Sequence, residues 1–542
     1  MSICCGRLVG ALLLSLPLWA QAALPLTPFE LAPTRPLPHS TQISSYLHLL
    51  AHQSRLATVA ALGTSAGGRP VEALLVSEDP AFLQSGKPEG DRLTVMLLGS
   101  QHGNEPSGTE VLQIIARRVL DGELTPLLQK MNFVIVALAN PDGRDLNRRL
   151  NAKDENPNLD FIAVESPETR IYIDALARFQ PDVVMDLHET WNDKWPMTPR
   201  EGFLTTTDAQ FEVGNNPNLD AQLRQYANHA FLPALIEAVQ AQGIPSQRYN
   251  EIYSLHDPVR RGGLSLSNFR NYAAMQGSLT VLFENRHDGA GTFPTPENIA
   301  ERVRKQRISV EEALTLVARD DSQIRHLSRE ARFRWRGVEG DDKFVMQYAF
   351  APNPTEPTTA VTLADRTGKR VVKTFRREDY VALQGTGAIP EGYVIRAQTN
   401  RFREWLDRHH IDYQVVSQPE KVELTQQRVA SMKIGAQTKP GTRDWLDVTL
   451  DEKVVQTNLQ PGDLLISTEQ PQGALISIML DPRSANSLYQ EPTWRALLMS
   501  NPLPTAPLLA DSADLAKREA AKGNKARLAK DNKAAKPSQP AG

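Results

Sequence analysis

The sequence predicts an α/β domain followed by a smaller β-rich domain. Two observations carry this. From about Pro38 to Arg325, short apolar runs alternate with segments of helical periodicity, the pattern of strands and helices packed in layers. From Phe333 to about Pro504 the text turns strand-like, broken at Asp341-Asp342, Pro352 to Pro357 and Gly385 to Gly392. The expected organisation is a leader over 1–22, an α/β unit over 38–325, a β-rich unit over 333–504 and a tail over 505–542.

The leader has the pattern of a secretory signal. Arg7 supplies positive charge, Leu8 to Trp19 form a short apolar run, and Ala20-Gln21-Ala22 offers small residues for cleavage before Ala23. The run falls short of the roughly 20 residues that cross a bilayer. The expectation is export, to a periplasm or outside the cell, with no transmembrane span. Cys4 and Cys5 both lie in the leader, so a mature chain has no cysteine, and a metal site must use His, Asp or Glu. A net charge of -3 gives no reason to expect nucleic-acid binding.

Pro25 to Pro38 read as an extended lead-in, and Thr41 to Leu56 as an amphipathic helix through Ile43, Tyr46, Leu47 and Leu50. Ala57 to Ser77 alternate as strands around a turn at Ser65 to Pro70. Leu93 to Leu98 form a buried strand that stops at Gly99, and His102 and Glu105 follow in the loop. A helix begins near Gly108, carries Val111, Leu112, Ile115, Val119 and Leu120, and stops at Asp121-Gly122. The next strand, Asn132 to Leu138, is closed by Asn140-Pro141-Asp142-Gly143. Asp182 to Leu187 are expected to end on His188, and Leu279 to Phe283 on Glu284, with helical text between them at Ala221 to Gln242. In the second unit, Thr399 to His409 read as a short helix and Asp447 to Ile478 as strands. His409-His410 lack a third donor nearby and read as a solvated helix end, since a zinc site needs more ligands. From Ser512 the chain is rich in Ala, Lys, Asn and Pro, a disordered basic tail with at most a weak affinity for acidic surfaces.

Three strand ends thus bear His102 with Glu105, His188, and Glu284. Open α/β sheets collect ligand sites at carboxyl ends of strands. Two imidazoles and a carboxylate form a catalytic zinc set with one position open to water. The expected cofactor is one zinc ion per chain. Glu284, outside the ligand set, suits the proton transfers, and a nearby cation would steady an oxyanion.

Taken in order, Gly63-x-Ser65-x-x-Gly68-Arg69, His102-Gly103-Asn104-Glu105, Asn140-Pro141-Asp142-Gly143, Asp186-Leu187-His188 and Phe283-Glu284 make the chain resemble the zinc metallocarboxypeptidases of the carboxypeptidase A superfamily. The resemblance covers most of Thr41 to Arg325. It implies a mixed, mainly parallel sheet flanked by helices, a peptide substrate, zinc held by His102, Glu105 and His188, and Glu284 as general base and acid. By the same resemblance Arg149 steadies the oxyanion and Asn158 contacts the substrate carboxylate. Two positions depart from the family pattern. Leu159 stands where an Arg clasps that carboxylate, and Asn156 where an Asp supports the first zinc histidine. Asp145-Leu146-Asn147-Arg148 also spells the family's Asp-x-Asn-Arg, but no Arg and spacer precede it, so it ranks second. Arg144, Arg148, Arg200, Arg260 and Arg261 are candidate replacements for the missing Arg, and Tyr253 or Tyr272 for the family's substrate-capping Tyr. In an exported enzyme, cell-wall peptides are a reachable substrate. The alternatives are a small-molecule amidohydrolase resembling the aspartoacylases and succinylglutamate desuccinylases, and a zinc-binding pseudoenzyme or binding module.

Overall fold

Alternation of side chains along buried strands organises the first part of the molecule. The computed structural model describes residues 23–88, 90–191, 197–287, 298–334, 343–434 and 446–509. The leader over 1–22 and the chain from 510 onward, including all of the basic tail from Ser512, lie outside the described residues. The strands are β1 (Ala57–Thr64), β2 (Pro70–Val76), β3 (Leu93–Gly99), β4 (Met131–Val136), β5 (Val183–Trp191), β6 (Phe203–Thr205), β7 (Ala209–Val213), β8 (Ser246–Arg248) and β9 (Leu279–His287). All but β6 join an eight-stranded sheet in the order β1-β2-β4-β3-β5-β9-β7-β8. β3 runs parallel to β4 and β5, β5 to β9, and β7 to β8. The pairs β1/β2, β2/β4 and β7/β9 are antiparallel. The sheet is therefore mixed and mainly parallel.

Both faces of this sheet are covered, as its apolar central strands require. On β3, Leu93, Val95 and Leu97 point into one core, with helices Ser40–Gln53, Ser107–Leu120, Leu232–Ala241 and Ile299–Arg319. Met96 and Leu98 point into the other, with helices Pro167–Phe179 and Phe269–Met275. That second core does not stop at the α/β unit. Phe402, Trp405, Leu406, Ile466, Ile476 and Tyr489, all from the C-terminal part, belong to it. The Trp405 indole donates to the Ile162 carbonyl at 2.8 Å. Thr358–Asp365 pairs with β6, which carries the contact between the two parts into a small shared sheet.

The C-terminal part holds the additional β structure, including a long hairpin between Glu420–Ile434 and Leu446–Leu459. It departs from the sequence reading at Gly473–Leu480, which is a helix rather than a strand. Every residue of that helix is buried. A short run that is apolar except for Ser477 carries no periodicity to separate strand from helix. β5 and β9 also run three residues past His188 and Glu284, so neither residue is a strand end. Among the described residues no helix is long and apolar enough to cross a membrane.

Candidate functional site

Close backbone approach shapes the loop after β3. A Cβ on Gly103 would lie 1.8 Å from the Gly143 carbonyl carbon, so the loop and the Asn140-Pro141-Asp142-Gly143 turn pack with no side chain between them. Ser100 takes a left-handed φ of 53°, and its hydroxyl donates to the Glu105 carbonyl at 2.8 Å. The turn is tied down from outside as well: Arg69 pairs with Asp142 at 2.6 Å and with Asp145 at 2.9 Å. These contacts deliver His102 and Glu105 to one point at the carboxyl end of the sheet.

The adjacent strands bring the remaining groups. His188 on β5 and Glu284 on β9 are register partners, so their side chains leave the same face of the sheet one strand apart. His102, Glu105 and His188 are all buried, and one ligand atom from each lies within 4.8 Å of the others. The Nδ1 atoms of His102 and His188 lie 2.9 Å from Glu105 Oε1 and Oε2 respectively, and 3.1 Å from one another. Their Nε2 atoms point outward. His102 Nε2 lies 3.2 Å from Asn156 Oδ1, and His188 Nε2 lies 3.0 Å from Asp186 Oδ1. Those outer acceptors favour protons on both Nε2 atoms. Two Nδ1 lone pairs and a carboxylate then converge on one spot, a donor set that a cation satisfies.

The electrostatics agree with the geometry. Burial works to lower the pKa of His188, but the charge and hydrogen bond of Asp186, with Glu105, outweigh it and hold it well above the usual value. Burial works to raise the pKa of Glu105, and the two imidazoles hold it well below the ordinary range. Burial also lowers His102, which faces a neutral Asn156 rather than a carboxylate. The site's field thus favours positive charge, strongly on the His188 side.

Behind His102, Glu105 and His188, helix Ile299–Arg319 acts as a brace. Gln306 donates to the His188 carbonyl at 3.0 Å and accepts from the Ser107 hydroxyl at 2.7 Å. Arg302 clasps Glu189 through two hydrogen bonds of 2.8 and 2.7 Å, with both side chains buried. Such a fork-to-carboxylate pair fixes orientation as well as charge.

The cleft in front has a volume of about 620 Å³, enough for a short peptide or small ligand. His102, Glu105, His188, Glu284, Arg149, Asn158 and Leu159 all line it. Arg149 donates to Glu105 Oε1 at 2.8 Å. Asn158 accepts from the Phe269 amide at 3.1 Å, and its Nδ2 lies 3.4 Å from His188 Nε2. Leu159 is 43% exposed and puts no donor into the cleft.

The arginines named as substitutes lie elsewhere. Arg144 is buried against Glu110, Arg148 pairs with Asp154, Arg260 with Glu378 and Arg261 with Asp379. Arg200 is also outside the lining. Of the tyrosines, Tyr253 lines the cleft, whereas Tyr272 is buried with its hydroxyl 2.9 Å from His409 Nδ1. His409 is therefore not a solvated helix end: it is 1% exposed, and only His410, paired with Asp174 at 2.8 Å, faces solvent. The alternative Asp145-Leu146-Asn147-Arg148 register sits at the Arg69 and Ser40 cluster, away from the ligands.

Sequence reasoning placed Asp186 in the Asp186-Leu187-His188 motif without a role, and did not single out Arg302, Tyr249 or Arg270. For Asp186 the signal was available, because a residue two before His188 on a strand shares its face. For Arg302 and Arg270 no local pattern exists; their places depend on how helices dock on the sheet.

Residues 43–230 match the zinc carboxypeptidase family profile. "Carboxypeptidase 2" of Trichophyton equinum is 24% identical over 422 residues, 74% of this chain and 74% of that protein. "Carboxypeptidase E" of Caenorhabditis elegans is 34% identical over 168 residues, 28% of this chain and 34% of that protein. Among solved structures, a metallo-carboxypeptidase from Pseudomonas aeruginosa in complex with (2-guanidinoethylmercapto)succinic acid aligns with a TM-score of 0.39 and 22% identity, covering 53% of this chain and 70% of that one.

Proposed function

We propose, from the match of residues 43–230 to the zinc carboxypeptidase family profile, a zinc-dependent peptidase whose His102, Glu105 and His188 hold the ion. The observation that carries this reading is the convergence of two Nδ1 atoms and a carboxylate beside Glu284 in one open cleft. Bound there, zinc would polarise a peptide carbonyl and acidify water. Glu284 takes a proton from the attacking water and returns it to the departing amine. Arg149 donates to the carbonyl oxygen as negative charge grows on it. Asn158 orients the substrate, and Asp186 and Asn156 keep the histidine rings turned inward. We assign the chemistry to the 38–325 unit, because every residue lining the cleft falls between His102 and Glu284. The pattern of residues 1–22 supports export to a periplasm or beyond the cell, and an exported peptidase could act on cell-wall peptides.

Glu284→Gln tests the mechanism. Peptide turnover is expected to fall by about 10²- to 10⁴-fold, the range of a general acid-base residue, with zinc content by metal analysis unchanged. A Glu284→Gln protein that still cleaves peptides at the original rate would sink the assignment.

A further inference from the structure

The cleft contains a cation that the catalytic scheme does not use. Arg270 lines it and is 5% exposed. Its Nη2 donates to two neutral acceptors, Asn215 Oδ1 at 3.2 Å and the Gly263 carbonyl at 2.7 Å. Its buried Nε has no hydrogen-bond partner, and among the described residues no carboxylate pairs with it. The contrast with its neighbours is sharp. Arg149 is committed to Glu105, Arg248 to Glu212, and Arg302 to Glu189. A buried guanidinium with no carboxylate bonded to it is costly, and a structural arginine avoids that cost by pairing directly. Burial holds Arg270 below the usual arginine range, against the more distant pull of Glu212, Tyr249, Asp186 and Glu284.

The surroundings hold this group ready rather than neutralise it. A Cβ on Gly262 would lie 2.8 Å from Arg270 Nη1, so glycine there leaves room beside the guanidinium. Asn271 donates to the same Asn215 oxygen at 3.0 Å and to the Gly263 carbonyl at 3.1 Å, fixing both acceptors that grip Nη2. A planar fork held in place at a cleft wall binds carboxylates with little ordering cost.

We propose that Arg270 receives a carboxylate of the substrate and so supplies the anion recognition that Leu159 lacks. This rests on the peptidase reading above. The carboxylate is either the α-carboxylate of a C-terminal residue or the side chain of an acidic one. Both are anionic, planar and bidentate acceptors.

Four acylated dipeptides separate the sources: one ending in Phe and its C-terminal amide, and a pair ending in Glu or Gln. Hydrolysis is followed in the wild type, Arg270→Gln and Arg270→Lys. If the α-carboxylate is bound, Arg270→Gln lowers the acid-over-amide ratio of kcat/KM by about 10- to 100-fold, mainly through KM, the scale of one charged hydrogen-bonded contact. If a side-chain carboxylate is bound, the Glu-over-Gln ratio falls instead. Arg270→Lys restores part of whichever ratio is lost. Binding of the same peptides to Glu284→Gln protein, by calorimetry, reads both ratios without turnover. Should the wild type hydrolyse nothing, the peptidase reading fails, and these binding ratios still judge Arg270. Ratios that are the same with and without Arg270, or a wild-type site blind to both pairs, would overturn the proposal.

Discussion

The cleft and the junction with the C-terminal part each bury histidine, and they bury it to opposite ends. In the cleft, His102 and His188 meet Glu105, with Asp186 behind the second ring. At the junction with the C-terminal part, His409 meets only neutral partners: the Tyr272 hydroxyl at 2.9 Å and the Ile162 carbonyl at 3.0 Å, with the Trp405 ring 4.8 Å away. Burial pushes all three pKa values down. Only at His188, flanked by both Asp186 and Glu105, is that push reversed. His409 is left neutral, with its pKa lowered to about 4, while His188 is held well above its ordinary value. Enclosure therefore does not make a metal site; the anions that accompany the ring do.

The comparison can be broken at its strongest point first. His188→Ala should abolish stoichiometric zinc binding and lower peptide hydrolysis by about 10³-fold or more, because several kcal/mol of transition-state stabilisation goes with the ion. His409→Phe should leave metal content intact. Retention of zinc by His188→Ala would remove the distinction between the two places.

A pH series tests the other side. In the unfolded chain His409 titrates near 6.5, and in the folded chain near 4, so the unfolded state binds more protons between those values. Its contribution to stability is complete above about pH 6.5 and is lost as pH falls toward 4, roughly 3 kcal/mol over that window. Denaturant unfolding of wild type and His409→Phe from pH 4 to 7 should show the variant with the shallower slope. Parallel slopes would mean that His409 is not held neutral. A smaller effect sharpens the contrast between His102 and His188, the two proposed ligand histidines. Asp186→Asn should weaken metal affinity by about 10- to 100-fold, whereas Asn156→Asp, which gives His102 the same kind of partner, should strengthen it. Competition with a metallochromic chelator reads both changes.

The candidate ligand set was legible because its members ride on local patterns. A buried strand, a stop at Gly99, and His102 three residues before Glu105 can be read in one short window. His188 and Glu284 follow apolar runs in the same way, although the strands continue to Trp191 and His287 because their partners extend equally far. Arg270 was not legible. Its chemistry depends on Asn215 and Gly263, which only the fold brings beside it. His409 was misread as solvated because its covering residues, Ile162 and Tyr272, lie more than a hundred positions away. Gly473–Leu480 was misread because an apolar run of that length fits strand and helix equally.

The loop that ends at the cleft wall has a further consequence. Gly262 and Gly263 line the cleft, and the residues just before them are fastened to the C-terminal part: Val259 bridges to Arg377, Arg260 pairs with Glu378, and Arg261 with Asp379. The wall of the site is thus upholstered by one stretch of chain and nailed down by another. Asp379 lines no part of the cleft, yet a substitution there would unfasten the stretch that carries Gly262 and Gly263.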